Sequence, residues 1–157
     1  MALKSAGVVA FRMRLGSIEV LLVHPGGPFW RNKDLGAWSI PKGEYDSSEE
    51  PEDVARREFQ EEIGVQLKVP LRSLGEIRQR GGKAVTAFAA EADVDTRTIQ
   101  SNSFEIEWPP RSGHRQTFPE VDRAEWFDLS WAHRKINPGQ RPLLDRLEAM
   151  CAAARKR

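Results

Sequence analysis

The sequence predicts an α/β fold, and three observations predict it. Short, β-branched apolar runs bounded by turn residues recur from the start of the chain to about Phe127. A stretch from Pro51 to Ile63 with helical apolar spacing stands among them, and Leu143, Leu144, Leu147, Met150 and Cys151 repeat at helical spacing near the end. The 157 residues suit one domain covering 1–157, and 39% hydrophobic with 30% charged residues is a globular composition.

Taken in order, Ser5 to Met13 and Ile18 to His24 read as two strands split by the turn Leu15-Gly16-Ser17. The segment HPGGPFWRNKDLGAW is punctuated by Gly, Pro and aromatics and reads as loop. Trp38-Ser39-Ile40 reads as a brief strand delivering Pro41-Lys42-Gly43 to the loop before the helix. Pro51 suits a first helical position, Glu52 and Asp53 complement the positive end of the helix dipole, and Gly64 suits a C-terminal cap. Within that helix Val54, Ala55, Phe59 and Ile63 form an apolar stripe for packing on a sheet. Leu74 to Arg80 and Lys83 to Ala92 flank Gly81-Gly82, a hairpin signal. Phe104 to Trp108 and Ala124 to Phe127 are further short strands, with PPRSGHRQTFPEVDR between them read as one long loop. A helix from Pro138 to about Ala154 closes the order.

The formal net charge is +1, so there is no global attraction for nucleic acid and no obvious nucleic-acid surface. Arg155 to Arg157 suit a solvated helix end favoured by the dipole. No apolar run approaches the roughly 20 residues of a spanning helix, and the opening MALKSAGVVAF lacks a signal peptide's long apolar segment. A cytoplasmic location is the expectation. Cys151 is the only cysteine, which excludes an intrachain disulfide and reads as a helix packing residue. His24 and His133 lack zinc-site spacing, and neither a GxSxG elbow nor a Gly-rich phosphate loop is present.

Chemistry concentrates in RREFQEEIG, where Glu58, Glu61 and Glu62 stand three and four residues apart. On a helix these fall within an arc of roughly 100° and repel one another. Such crowding is relieved by Lys or Arg, by water, or by a hard divalent cation of the Mg²⁺ or Mn²⁺ kind.

Gly43, five residues, Glu49, seven residues, Arg57-Glu58-Phe59, one residue, Glu61-Glu62, one residue and Gly64-Val65 together resemble a complete Nudix box. A chance match to seven fixed identities and two apolar positions is on the order of 10⁻⁹ per start site. Phe59 stands where the family generally carries an aliphatic residue or Thr. The resemblance implies the Nudix fold, an α/β/α sandwich with a central mixed β-sheet, and Mg²⁺-dependent hydrolysis of a phosphoanhydride, with Mn²⁺ as a possible substitute. It also implies a metal-binding set of Glu58, Glu61 and Glu62 with Gly43 giving close backbone approach, and an Arg57–Glu49 pair bracing the loop on the helix. Glu120 is a candidate for the additional carboxylate that such enzymes often place just before a late strand. The base that deprotonates water is left open between Glu120 and a box glutamate.

Lys42 is placed to hold a phosphate as a point charge, and Arg31, Lys33, Lys83, Arg111, His114 and Arg115 can widen that surface. Trp38-Ser39-Ile40-Pro41-Lys42-Gly43 resembles the branch that hydrolyses diadenosine tetraphosphate. On that resemblance Lys42, Trp38 and Lys83 are the expected substrate-binding residues, and a dinucleoside polyphosphate is the leading substrate. That branch often stacks adenine on a downstream tyrosine, but Tyr45 is the only tyrosine here, so Trp30, Trp108, Phe104 and Phe118 are the available replacements. The alternatives are nucleoside triphosphate pyrophosphohydrolysis, pyrophosphate removal from RNA 5′ ends, and a noncatalytic nucleotide-binding sensor. The expected partner is a nucleotide, with no membrane, and with monomer and homodimer both open.

Overall fold

The computed structural model describes residues 3–155; Lys156 and Arg157, part of the expected solvated end, lie outside the described residues. In chain order the elements are β1 (Lys4–Arg14), β2 (Ser17–Pro25), β3 (Lys42–Glu44), α1 (Pro51–Ile63), β4 (Arg72–Arg78) and β5 (Ala84–Glu91). There follow β6 (Ser103–Glu107), β7 (Arg115–Pro119), β8 (Val121–Asp128), α2 (Leu129–Lys135) and α3 (Arg141–Arg155).

Six strands form a sheet ordered β4-β5-β1-β2-β8, with β3 pairing to β1 off that path. β1 runs parallel to β5 and antiparallel to β2 and β3, so the sheet is mixed. Strand side chains alternate between faces, and both faces of the central strands are apolar. Ala6, Val8, Ala10, Leu21, Val23, Phe88 and Ala90 meet Val54, Ala55, Phe59 and Ile63 of α1. Val9, Phe11, Val20, Leu22, Val85, Ala87 and Ala89 meet Ala132 of α2 and Leu143, Leu144 and Leu147 of α3. Helices on both faces of a mixed sheet make the expected α/β/α sandwich.

α1 has the expected bounds. Pro51 stands at its start with Glu52 and Asp53 in the first turn, and Gly64 ends it in the left-handed conformation at φ 87° with its N–H donating to the Gln60 carbonyl at 2.8 Å. Phe59 is fully buried beneath the sheet, which accommodates an aromatic at this position.

Three expectations are corrected. Trp38 to Ile40 make only isolated bridges, Val23 to Ser39 and Trp38 to Ile136. Their polar groups are shared among several partners, including the Gln140 side chain, which accepts from the Ile40 N–H at 3.1 Å. The stretch from 109 to 123 is not one loop: it contains β7 and the start of β8, and β7 pairs with β6 as a separate two-stranded sheet. Finally, α2 precedes a 3₁₀ turn at Pro138–Gln140, and α3 begins at Arg141.

Candidate active site

The α1 face bordering its buried stripe carries the carboxylates. Glu62 is 8% exposed, and the Lys42 backbone N–H donates to its Oε2 at 2.9 Å. Burial, then the charges of Glu58 and Glu120, push the Glu62 carboxyl up to about 8 against that hydrogen bond. Glu58 is pushed up to about 7, first by burial and then by Glu61. Glu120 sits between β7 and β8 and is raised by burial and by the charge of Glu61. The four carboxylates therefore feel one another across two segments of the chain.

β3 completes the site from the other side. Gly43 pairs with Ala6 of β1, and a Cβ added there would overlap the Glu58 carboxylate. Any side chain at 43 displaces that group. Arg57 donates to Glu49 Oε2 at 2.5 Å, as the resemblance implies. It also lies 3.8 Å from Glu58 Oε1 and 4.0 Å from Glu61 Oε1, so its cation neutralises part of the repulsion while its hydrogen bond ties the loop before α1 to the helix.

A chain of backbone hydrogen bonds joins Glu120 to the helix. The Asn102 N–H donates to the Glu61 carbonyl at 2.8 Å, the Glu120 N–H to the Asn102 carbonyl at 2.8 Å, and the Gly26 N–H to the Glu120 carbonyl at 2.9 Å. Asn102 escaped sequence reasoning because its contribution is main-chain and any residue type provides it.

Lys42 is largely buried, and its amine is lowered to about 8 by burial and by neighbouring Lys83, with Glu62 opposing. Lys83 Nζ lies 3.4 Å from Glu44 Oε1. Two adjacent ammonium groups, with the Glu44 and Glu62 carboxylates beside them, suit an anion. Trp38 is corrected as a substrate contact: it is 1% exposed, packs edge-on to Phe127 and His24, and its indole N–H donates to Asp34 at 2.8 Å. No face remains for a ligand. Of the wider basic set, Arg115 pairs with Glu105, and Lys33 lies over Trp30 at 5.1 Å from the ring centroid.

The donors are carboxylate oxygens with mutual repulsion left over and a glycine cradle against Glu58, chemistry that fits a hard divalent cation. Among the described residues, no three His, Cys, Asp or Glu side chains are already gathered closely enough to hold a metal ion.

The NUDIX domain family profile matches residues 1–147. The chain belongs to the Nudix family. Nudix enzymes act on pyrophosphate bonds and typically use divalent metal ions. Over 134 residues the chain is 31% identical to an octanoyltransferase of Myxococcus xanthus, covering 85% of this chain but 33% of that protein. It thus spans about a third of that relative's length. It is 29% identical over 139 residues to an RNA pyrophosphohydrolase of Bartonella henselae, covering 72% of this chain and 75% of that one. A C. elegans Ap4A hydrolase binary complex shares the fold with a TM-score of 0.66 at 24% identity, covering 97% and 99% of the two chains. Among the described residues, no helix is long and apolar enough to cross a membrane.

Proposed function

We propose that the protein is a Mg²⁺-dependent Nudix pyrophosphohydrolase whose preferred substrate is a dinucleoside polyphosphate such as diadenosine tetraphosphate. The observation that carries the reaction class is the fit of Gly43 against Glu58, with Glu62 fixed by the Lys42 N–H. These contacts hold two carboxylates of one helix against a strand that lacks a side chain in their way. Glu58, Glu62 and Glu61 would hold the cation, which when bound neutralises phosphate charge and activates water. Arg57 orients Glu58 and Glu61. Glu120, partly desolvated at the rim and electrostatically coupled to the cluster, would accept a proton from water. Lys42 and Lys83 bind phosphate oxygens away from the reacting atom.

The substrate choice is supported by the Trp38-to-Gly43 sequence form and by the shared fold of the C. elegans Ap4A hydrolase. A second reading, pyrophosphate removal from RNA 5′ ends, is favoured by the Bartonella relative. The deciding experiment is product analysis with Mg²⁺ across diadenosine polyphosphates, nucleoside triphosphates, nucleotide sugars and 5′-triphosphorylated RNA, with Glu62→Gln in parallel. ATP and AMP from diadenosine tetraphosphate, lost in the variant, are expected. Pyrophosphate released only from RNA moves the assignment to the second reading, and no turnover of any substrate overturns both in favour of a binding module.

A further inference from the structure

His24 is fully buried near the end of β2, and both of its ring nitrogens meet oxygen. Nδ1 lies 2.9 Å from Asp122 Oδ1 of β8, and Nε2 lies 2.7 Å from the Lys33 carbonyl in the loop after β2. A carbonyl and an ionised carboxylate both accept and neither donates. Both hydrogen bonds therefore form together only when the His24–Asp122 pair holds one proton more than a neutral imidazole and an ionised carboxylate bring. Trp38 meets the His24 ring edge-on at 5.2 Å. The charged groups around this ring pair are Asp122 and Arg123 of β8, Asp34 of the loop and Lys135 of α2. Arg123 lies over the indole at 5.0 Å, and Asp34 takes the indole N–H and the Lys135 ammonium. The Lys33 ammonium is turned onto Trp30.

The contact falls where the sheet loses register. β2 pairs Val23 with Ala124 and His24 with Arg123 of β8, and then Pro25 with Val121. One step along β2 stands against two along β8, which makes Asp122 the bulged residue. A bulge bends its strand and re-aims the residues beyond it. Beyond this one comes Glu120, whose carbonyl accepts from the Gly26 N–H at 2.9 Å. Gly26 is seated so closely that a Cβ there would overlap the Pro119 carbonyl. His24 thus fastens both sides of one crossing, the bulge through Asp122 and the loop through Lys33.

We infer that His24 is a positioning residue for Glu120, acting through the Asp122 bulge and the Lys33 carbonyl and only while the His24–Asp122 pair keeps its additional proton. The inference deepens the proposed function and rests on the role given there to Glu120. Once the proton leaves, one of the two ties is lost, and the start of β8 and the loop after β2 are no longer fixed to each other. The sign with pH is definite. The double tie is complete at low pH and is lost as pH rises through the release of that proton. A purely space-filling role for the ring predicts instead a contribution that does not change with pH.

The test is amide hydrogen exchange of the metal-free protein in peptides covering 26–34 and 118–124, from about pH 5.5 to about pH 8.5, corrected for the intrinsic exchange rate. Wild type is compared with Asp122→Asn and His24→Gln. Wild-type protection of both segments is expected to fall about tenfold across the range, the scale of one hydrogen bond to a charged group. In Asp122→Asn the carboxamide donates to an unprotonated Nδ1, so protection is expected to stay level. In His24→Gln it is expected to lie at the high-pH wild-type level throughout. The ratio of Asp122→Asn to wild-type kcat, in which the titration of the box glutamates cancels, is expected to rise severalfold with pH at similar KM. Wild-type protection that does not change with pH, or Asp122→Asn protection that declines as wild type does, overturns the inference, and Asp122→Asn decides it even if His24→Gln does not fold. The expected exchange with a flat kcat ratio overturns Glu120 as the proton acceptor of the proposed function instead.

Discussion

Gly43 lies flush against the Glu58 carboxylate, in space that any Cβ would occupy. Gly43→Ala is expected to push Glu58 off the α1 face and to lower kcat by at least about 100-fold, the scale on which misplacement of a reacting group by an ångström acts. The fold should survive, because the contact involves a carboxylate at the edge of the sheet and not the core. Wild-type kcat in the variant, at matched Mg²⁺, would show that the cradle is dispensable.

Arg57 makes one hydrogen bond to Glu49 and approaches Glu58 and Glu61 more loosely. Its side chain is 46% exposed, so its ion pairs contribute at most about 1 kcal/mol to stability. Its work is geometric, and a planar guanidinium reaching three carboxylates is not reproduced by an ammonium. Arg57→Lys should therefore keep the melting temperature within about 4 °C and lose roughly tenfold or more in kcat. A large fall in melting temperature with kcat preserved would assign Arg57 to stability.

Glu62 gives the metal-free protein a pH dependence of definite sign. Its folded value of about 8 lies above the ordinary 4.5, so between those values the folded chain binds more protons than the unfolded one. Stability then falls as pH rises through that window. In chelator, the melting temperature should drop by about 5–10 °C from pH 5 to pH 8.5, and Glu62→Gln should flatten the decline. Added Mg²⁺ should restore stability most at the alkaline end, where the carboxylates are deprotonated and ready to bind. A melting temperature that rises with pH in chelator would contradict the burial argument for Glu62.

The helix and its carboxylates were legible because everything that specifies them is local: Pro51, the apolar stripe and Gly64 fix α1, and spacing places Glu58, Glu61 and Glu62 on one arc. The two hairpins flanking short turns were legible for the same reason. β7 was hidden because Phe118 is its only apolar residue before Pro119, and its strand character comes from pairing with β6 across an intervening loop. α2 is seven residues long, yet Asp128 caps it by accepting from the Trp131 N–H at 2.8 Å, a signal present in the sequence. Trp38 lies off the substrate surface because the resemblance over Trp38 to Gly43 carries residue identities and not which side of the sheet an indole faces. The tie from Asn102 to Glu61 is backbone alone and leaves no trace in residue identity.

Trp38 separates packing from recognition in a way that one substitution can expose. Its ring fills the core between Phe127 and His24, and its N–H shares Asp34 with Lys135, whose Nζ lies 2.6 Å from the other carboxylate oxygen. Trp38→Phe removes ring volume and the donor while leaving Asp34 paired, so a loss of about 1–3 kcal/mol in urea unfolding is expected. Because the indole presents no face to solvent, KM for the nucleotide should stay within twofold of wild type. A raised KM at unchanged stability would return Trp38 to the substrate surface and require the core around His24 to open when substrate binds.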